Sequence, residues 1–243
     1  MMVRLLVSVR DVDEALAAAG AGADLIDLKE PADGALGGLA PERIARIVSV
    51  LRTRYPGLPI SATVGDLPAE QADEILRRVG RVASRGVDYV KVGLWPTPEA
   101  PGRVTSLLDA LADRTESIVP VLLVDEGLDA GLVDHALARG SFPGLMVDTA
   151  TKRGGSLLQR VPAATLASFV AAVRSRGMLA GLAGSLRMDD AAALLALAPD
   201  FAGFRGAVTR GGRAGVLDPL LVRQLRGRFA AGAGAGHGRL ATA

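Results

Sequence analysis

Lysine is the scarce side chain of this sequence, and where it falls suggests chemistry. Of the 28 basic residues only Lys29, Lys91 and Lys152 are lysines, which leaves 28 − 3 = 25 arginines. Arginine stays charged at any physiological pH, whereas a lysine amine taken out of water can lose its proton and attack a carbonyl. Lys29 lies in "LIDLKEP", two residues after Asp27; Lys91 lies in "DYVKVGL"; Lys152 follows Asp148 in "MVDTATKRGG". Three ammonium groups and two carboxylates gathered in one place would shift one another's ionisation. One amine could then be neutral near pH 7 and form a Schiff base, while the carboxylates move protons. That is the outline of a class I aldolase-type site. Lys29 is the leading nucleophile because Asp27, on the same strand face, can serve as its proton partner, with Lys152 the competing choice. Each residue also has a plainer reading: an internal ion pair for Lys29, a phosphate-holding charge for Lys91, a solvated loop charge for Lys152 and a turn cap for Asp148.

Such a site needs elements that bring distant segments together. Short apolar, β-branched runs alternate with longer amphipathic ones, the pattern of βα units around a parallel sheet. Eight candidate strands are present: "VRLLVSV", "DLIDLK", "PISATVGD", "DYVKVGL", "SIVPVLLVD", "GLMVDTA", "MLAGLAGSL" and "FAGFRGAV". Helical patterns follow them, as in "APERIARIVSVLRTR" and "PAATLASFVAAVRSRG", with Gly22, Gly86 and Gly177 where C-caps belong. Eight such pairs predict an α/β fold, a single (β/α)8 TIM barrel over residues 1–228. The doubly wound open sheet is the runner-up, but no Gly-rich dinucleotide turn is present. Residues 229–243, ending "AAGAGAGHGRLATA", read as a Gly/Ala-rich, disordered tail.

Alternation along the strands aims the candidates. In "LIDLK" it turns Ile26 and Leu28 toward the helices and Asp27 and Lys29 toward the barrel axis. It likewise turns Lys91 and Asp148 inward and leaves Lys152 just past its strand. The lysines thus occupy the C-terminal ends of strands two, four and six, the rim where barrel active sites are built. Ser61 and Thr63 point inward from strand three, as interior filling or as hydroxyl contacts. "AGS" closing strand seven and "FRGAV" closing strand eight place Gly184, Ser185, Arg205 and Gly206 at the loops where many barrels bind phosphate. Tight packing is the alternative use of such small residues. Taken with the lysines, they predict a phosphorylated carbonyl substrate.

Composition removes other classes. The chain has no cysteine and only two histidines, His135 and His237, so neither a metal nor another cofactor is expected. A net charge of +2, scattered arginines and 3% aromatics argue against a nucleic-acid surface. No run reaches membrane-spanning length and the first apolar run is too short for a signal peptide, which fits a cytoplasmic protein with no membrane partner. Apolar residues on the outer helices are compatible with a homo-oligomer as well as with packing onto the barrel.

The blocks "LLVSVRDVDEALAAAGAGADLIDLKEPADGALGG", "SATVGD", "DYVKVGL", "MVDTATKRGGSLL", "LAGSL" and "FRGAVTRGGRAGVLD" together resemble the (5-formylfuran-3-yl)methyl phosphate synthase family from about Leu5 to Phe229. The resemblance implies a TIM-barrel lyase that condenses two glyceraldehyde 3-phosphate molecules with loss of one phosphate and water. Its product is the furan precursor of methanofuran. It also implies a Schiff base on the lysine of the D-x-K motif, here Lys29 beside Asp27, with Lys91, Asp148 and Lys152 as the other active-site residues. Asp148 and Lys152 would move protons, and Lys91 would hold or polarise a phosphate or carbonyl. The Gly/Ala tail and Arg-rich helices depart from the archaeal pattern. A different class I aldolase and a non-catalytic sugar-phosphate-binding barrel are the alternatives.

Overall fold

Runs of Val, Ile and Leu that read as strands are buried along nearly their whole length, as parallel strands covered on both faces must be. The computed structural model describes residues 3–96, 100–151 and 154–235. The strands are β1 (Arg4–Val9), β2 (Leu25–Leu28), β3 (Ile60–Thr63), β4 (Tyr89–Leu94), β5 (Ile118–Leu123), β6 (Gly144–Asp148), β7 (Leu179–Leu182) and β8 (Phe201–Phe204). Each pairs with its sequence neighbour and β8 pairs with β1, so the sheet closes into a parallel barrel.

Helices α1 (Val12–Gly20), α2 (Pro41–Arg54), α3 (Ala72–Ala83), α4 (Pro101–Ala112), α5 (Ala130–Arg139), α6 (Leu157–Arg160), α7 (Ala163–Ser175), α8 (Ala191–Leu197) and α9 (Pro219–Ala235) fall between and after the strands. The longer ones bury one stripe. In α2 the stripe is Ile44, Ile47, Val48 and Leu51, spaced at three, four and seven, with Pro41 opening the first turn. Gly22, Gly86 and Gly177 all adopt positive φ just past helix ends, as expected of C-caps. Among the described residues no helix is long and apolar enough to cross a membrane.

Alternation splits the apolar residues into two cores. Ile26, Leu28, Val90, Val92 and Leu94 join the layer between barrel and helices. Leu6, Leu25, Val119, Val121, Met146 and Phe201 form a second cluster inside the barrel. Those residues fill the barrel from its N-terminal end, and the inward polar residues stand nearer its C-terminal mouth.

Two expectations change. Strands β7 and β8 stop at Leu182 and Phe204, before the Gly184–Ser185 and Gly206–Val208 turns that were expected to close them. Helix α9 runs through Ala235, so the tail boundary after residue 228 falls inside a helix; Phe229 is fully buried and packs edge-on against Phe204 at 6.0 Å between ring centroids. Alanine sustains a helix that composition alone assigns to a tail. Lys152 and residues 236–243 lie outside the described residues. After β8 the chain makes a hairpin, β9 (Thr209–Arg210) and β10 (Val216–Leu217), that the strand pattern did not announce.

Candidate active site

The registers Ser8 to Asp27 and Asp27 to Ser61 set two hydroxyls on either side of one carboxylate inside the barrel. Ser61 Oγ donates to Asp27 Oδ1 at 2.7 Å and Ser8 Oγ donates to Oδ2 at 3.1 Å. Lys91, from the next strand over, brings Nζ to 2.8 Å from the same Oδ1, and both members of this ion pair are buried. Burial alone would raise the Asp27 carboxyl, but the charges of Lys91 and Lys29 and the bonds from Lys91 and Ser61 outweigh it and hold it below the ordinary value. Asp27 thus takes donors from Ser8, Ser61 and Lys91; its ion pair is with Lys91, and Lys29 feels it as a charge at longer range.

Lys29 stands at the end of β2 with only 7% of its surface exposed. Its Nζ donates to the carbonyl of Ala35 at 3.3 Å. Burial is the main influence on the amine; Asp148 and Asp27 oppose it, Lys91 and Arg213 add to it, and the result is a pKa lowered to about 8 from an ordinary 10.5. A fraction of the molecules therefore carries a neutral amine near pH 7. The loop holding Ala35 is fixed in turn by Asp66, whose two carboxylate oxygens accept from Ala35 N and Leu36 N, each at 2.7 Å. Thr63 Oγ1 ties the same loop by donating to Gly37 O at 2.8 Å. Asp148 is buried at the end of β6, where it accepts from Thr149 N at 2.7 Å.

A cavity of about 280 Å³ opens over these groups, lined among others by Asp27, Lys29, Lys91, Asp148, Gly184, Ser185, Arg205, Gly206 and Arg213. Its second wall is the pair of loops after β7 and β8. Gly184 has φ +118, and a Cβ there would meet Thr149 N at 3.0 Å, so the loop can lie against the end of β6 only with glycine. Ser185 follows at φ 48, a left-handed conformation that costs a serine of order 1 kcal/mol. Among the described residues, the N–H groups of Ser185, Leu186, Gly206 and Ala207 have no protein acceptor.

Arg205 is a correction. Its guanidinium turns away to a buried pair with Glu14, Nη1 to Oε2 at 2.5 Å and Nη2 to Oε1 at 3.0 Å. The remaining bonds reach carbonyls: Ser8 at 3.1 Å, Gly215 at 2.8 Å and Arg213 at 2.9 Å. All five of its donors are thus spent on protein, and it braces the hairpin instead of offering a fork to an anion. The structure brings together Asp27, Lys29, Lys91, Asp148, Gly184, Ser185 and Gly206 as expected, while Lys152 lies outside the described residues. Ser8, Glu14 and Arg213 escaped sequence reasoning. Alternation along β1 would have offered Ser8; nothing local marks the other two.

An eight-stranded parallel barrel with a buried amine, a buried carboxylate and backbone amides around a cavity at its C-terminal mouth belongs to the (β/α)8 class of proteins. Residues 5–226 match the family profile described as 4-HFC-P synthase, and the chain belongs to that family. A relative from Methylorubrum extorquens is 40% identical over 207 residues, 85% of this chain and 83% of that protein. The (5-formylfuran-3-yl)methyl phosphate synthase of Archaeoglobus fulgidus is 33% identical over 231 residues, 91% of this chain and 97% of that one. Among solved structures, phosphoribosyl anthranilate isomerase from Thermus thermophilus shares the fold, with TM-score 0.63 at 17% identity, over 94% of this chain and 99% of that chain.

Proposed function

We propose that the protein condenses two molecules of glyceraldehyde 3-phosphate into (5-formylfuran-3-yl)methyl phosphate through a Schiff base on Lys29. The observation that carries this reading is the Lys29 amine, buried in the cavity and lowered to about 8, in a chain whose relatives are named for that product. The neutral amine adds to an aldehyde carbon and the carbinolamine expels water, leaving an iminium. Loss of the neighbouring C–H proton gives an enamine, which expels its own phosphate with the electrons of the C–O bond and leaves an enol. The freed terminal carbon of that enol bonds to the ketone carbon of the second triose phosphate, taken as its ketose isomer. The terminal hydroxyl of that second molecule closes the ring on the neighbouring carbonyl, two waters leave to make the furan, and hydrolysis of the iminium frees Lys29 and the formyl group. Two triose phosphates less one phosphoric acid and two waters balance the product, so neither an oxidant nor a reductant is needed.

The residues divide the work by position. Lys91 and Asp27 form an ion pair that sets the field below Lys29, and Asp148, whose charge acts on Lys29, carries protons in this reading. The loops after β7 and β8 offer N–H groups to phosphate oxygens. Incubation with glyceraldehyde 3-phosphate, followed at the furan absorbance and quenched with borohydride for peptide mass spectrometry, tests the reading. Furan together with a reduced adduct on Lys29 is the expected result, and Lys29→Arg abolishes both. An adduct without furan makes the protein an aldolase of another partner aldehyde; no adduct, with phosphate still bound, makes it a binding barrel.

A further inference from the structure

We propose that Arg213 is the side chain that recognises the phosphate of the triose phosphate reacting at Lys29. This rests on the Schiff-base reading above and extends it to the hairpin between β9 and β10. Gly211 and Gly212, at φ +80 and +79, carry the hairpin turn, and Arg213 follows them as a lining residue of the cavity. Its Nη2 donates to the carbonyls of Gly34 and, at 3.1 Å, Ala35. Both of those bonds come from Nη2, and Nε and Nη1 have no protein acceptor among the described residues. Three N–H donors of a planar, permanently charged fork therefore remain on a cavity wall.

The acids around it leave that charge available. Asp148, Asp66 and Glu30 face it electrostatically, and the bonds its guanidinium makes among the described residues go to the carbonyls of Gly34 and Ala35. Asp66 spends both oxygens on backbone N–H groups, Glu30 accepts from Ala32 N and pairs with Arg43 at 3.6 Å, and Asp148 accepts from Thr149 N. The contrast with Arg205, whose donors are exhausted, is part of the same construction: Arg205 Nε holds the Arg213 carbonyl and so fixes the perch from which Arg213 reaches.

Position supplies the remaining step. One oxygen, that of Ala35, accepts from Lys29 Nζ at 3.3 Å and from Arg213 Nη2 at 3.1 Å, so the amine and the guanidinium flank a single atom. A three-carbon phosphorylated aldehyde has two carbons and one oxygen between carbonyl carbon and phosphorus. Attached at Lys29, it can lay its phosphate on the neighbouring guanidinium, where charge-assisted bonds from Nη1 or Nε form. The amides of Ser185, Leu186, Gly206 and Ala207 then serve the second substrate's phosphate.

The test compares wild type with Arg213→Ala, Arg213→Lys and Arg213→Gln, the last of which keeps a donor for the Gly34 and Ala35 carbonyls without the charge. Borohydride trapping on Lys29 is titrated with glyceraldehyde 3-phosphate and, separately, with unphosphorylated glyceraldehyde; inorganic phosphate binding is measured by calorimetry. Expected for Ala and Gln is a roughly 10- to 100-fold higher half-trapping concentration for the phosphorylated aldehyde. Loss of the Arg213 charge also raises the Lys29 amine and so shifts glyceraldehyde trapping slightly, by far less than trapping of the phosphorylated aldehyde; phosphate binding weakens, and Lys recovers part of the loss. Coincident phosphorylated curves, or equal shifts for both aldehydes, overturn the assignment. If wild type gives no adduct with either aldehyde, the Schiff-base reading fails by itself. The calorimetry still decides on Arg213: weaker phosphate binding in Arg213→Gln supports it, and unchanged binding overturns it.

Discussion

At the scale of the residue, the site depends on how two buried lysines are partnered, which the pairing of the strands decides. Lys91 has a carboxylate at 2.8 Å, whereas among the described residues Lys29 donates to a carbonyl at 3.3 Å and feels its acids at longer range. For Lys29 burial outweighs those acids, which favours a reactive amine. Asp27→Asn separates the two effects. It leaves Lys91 as an uncompensated buried charge, which costs about 3–5 kcal/mol in unfolding experiments. It also removes one of the anions that hold a proton on Lys29, so the pH midpoint of borohydride trapping falls below about 8. A midpoint that stays put or rises would mean that the Asp27 charge is not felt at Lys29. This reading of Asp27 was legible only in half: alternation aims it inward, but pairing register decides that Lys91, 64 positions away by number, takes it before Lys29 does.

At the scale of the element, strands were legible and the pieces that brace the mouth were not. Period-two alternation is a local property, and it is enough to send Asp27, Lys29, Lys91 and Asp148 to one place. Glu14 reads as an ordinary acidic residue in the first turn of α1, since its partner Arg205 lies 191 residues away. Burial turns it into the tie among four segments: its carboxylate accepts from Arg10 N at 3.1 Å, Arg205 and, in β10, Leu217 N at 3.3 Å. Glu14→Gln keeps the shape and discards the charge that balances Arg205. Hydrogen exchange across residues 209–217 is expected to quicken, the KM for triose phosphate to rise, and trapping on Lys29 at saturating substrate to persist. Slower turnover with an unaltered exchange pattern in that segment would remove the hairpin from the explanation.

At the scale of the whole molecule, the barrel carries Lys29 at a cost, and pH exposes it. In the unfolded chain the amine titrates near 10.5, whereas in the fold it titrates near 8. Between those values the unfolded chain holds a proton that the folded one has released, so stability rises with pH across the interval. The penalty is fully present below about pH 8 and is relieved by about 3 kcal/mol as pH approaches 10.5. Lys29→Met removes the titrating group and, keeping similar bulk, lacks this slope. The two proteins are compared by urea unfolding at a series of pH values from 7 to 10.5; the other titrating groups act on both and largely cancel in the difference. Wild type is expected to gain about 3 kcal/mol on the variant across the interval. Parallel curves would mean that Lys29 titrates alike in the folded and unfolded chains, and the neutral amine on which the Schiff-base reading depends would lose its physical basis. Diverging curves with an inactive variant would instead show stability given up for reactivity at a single buried position.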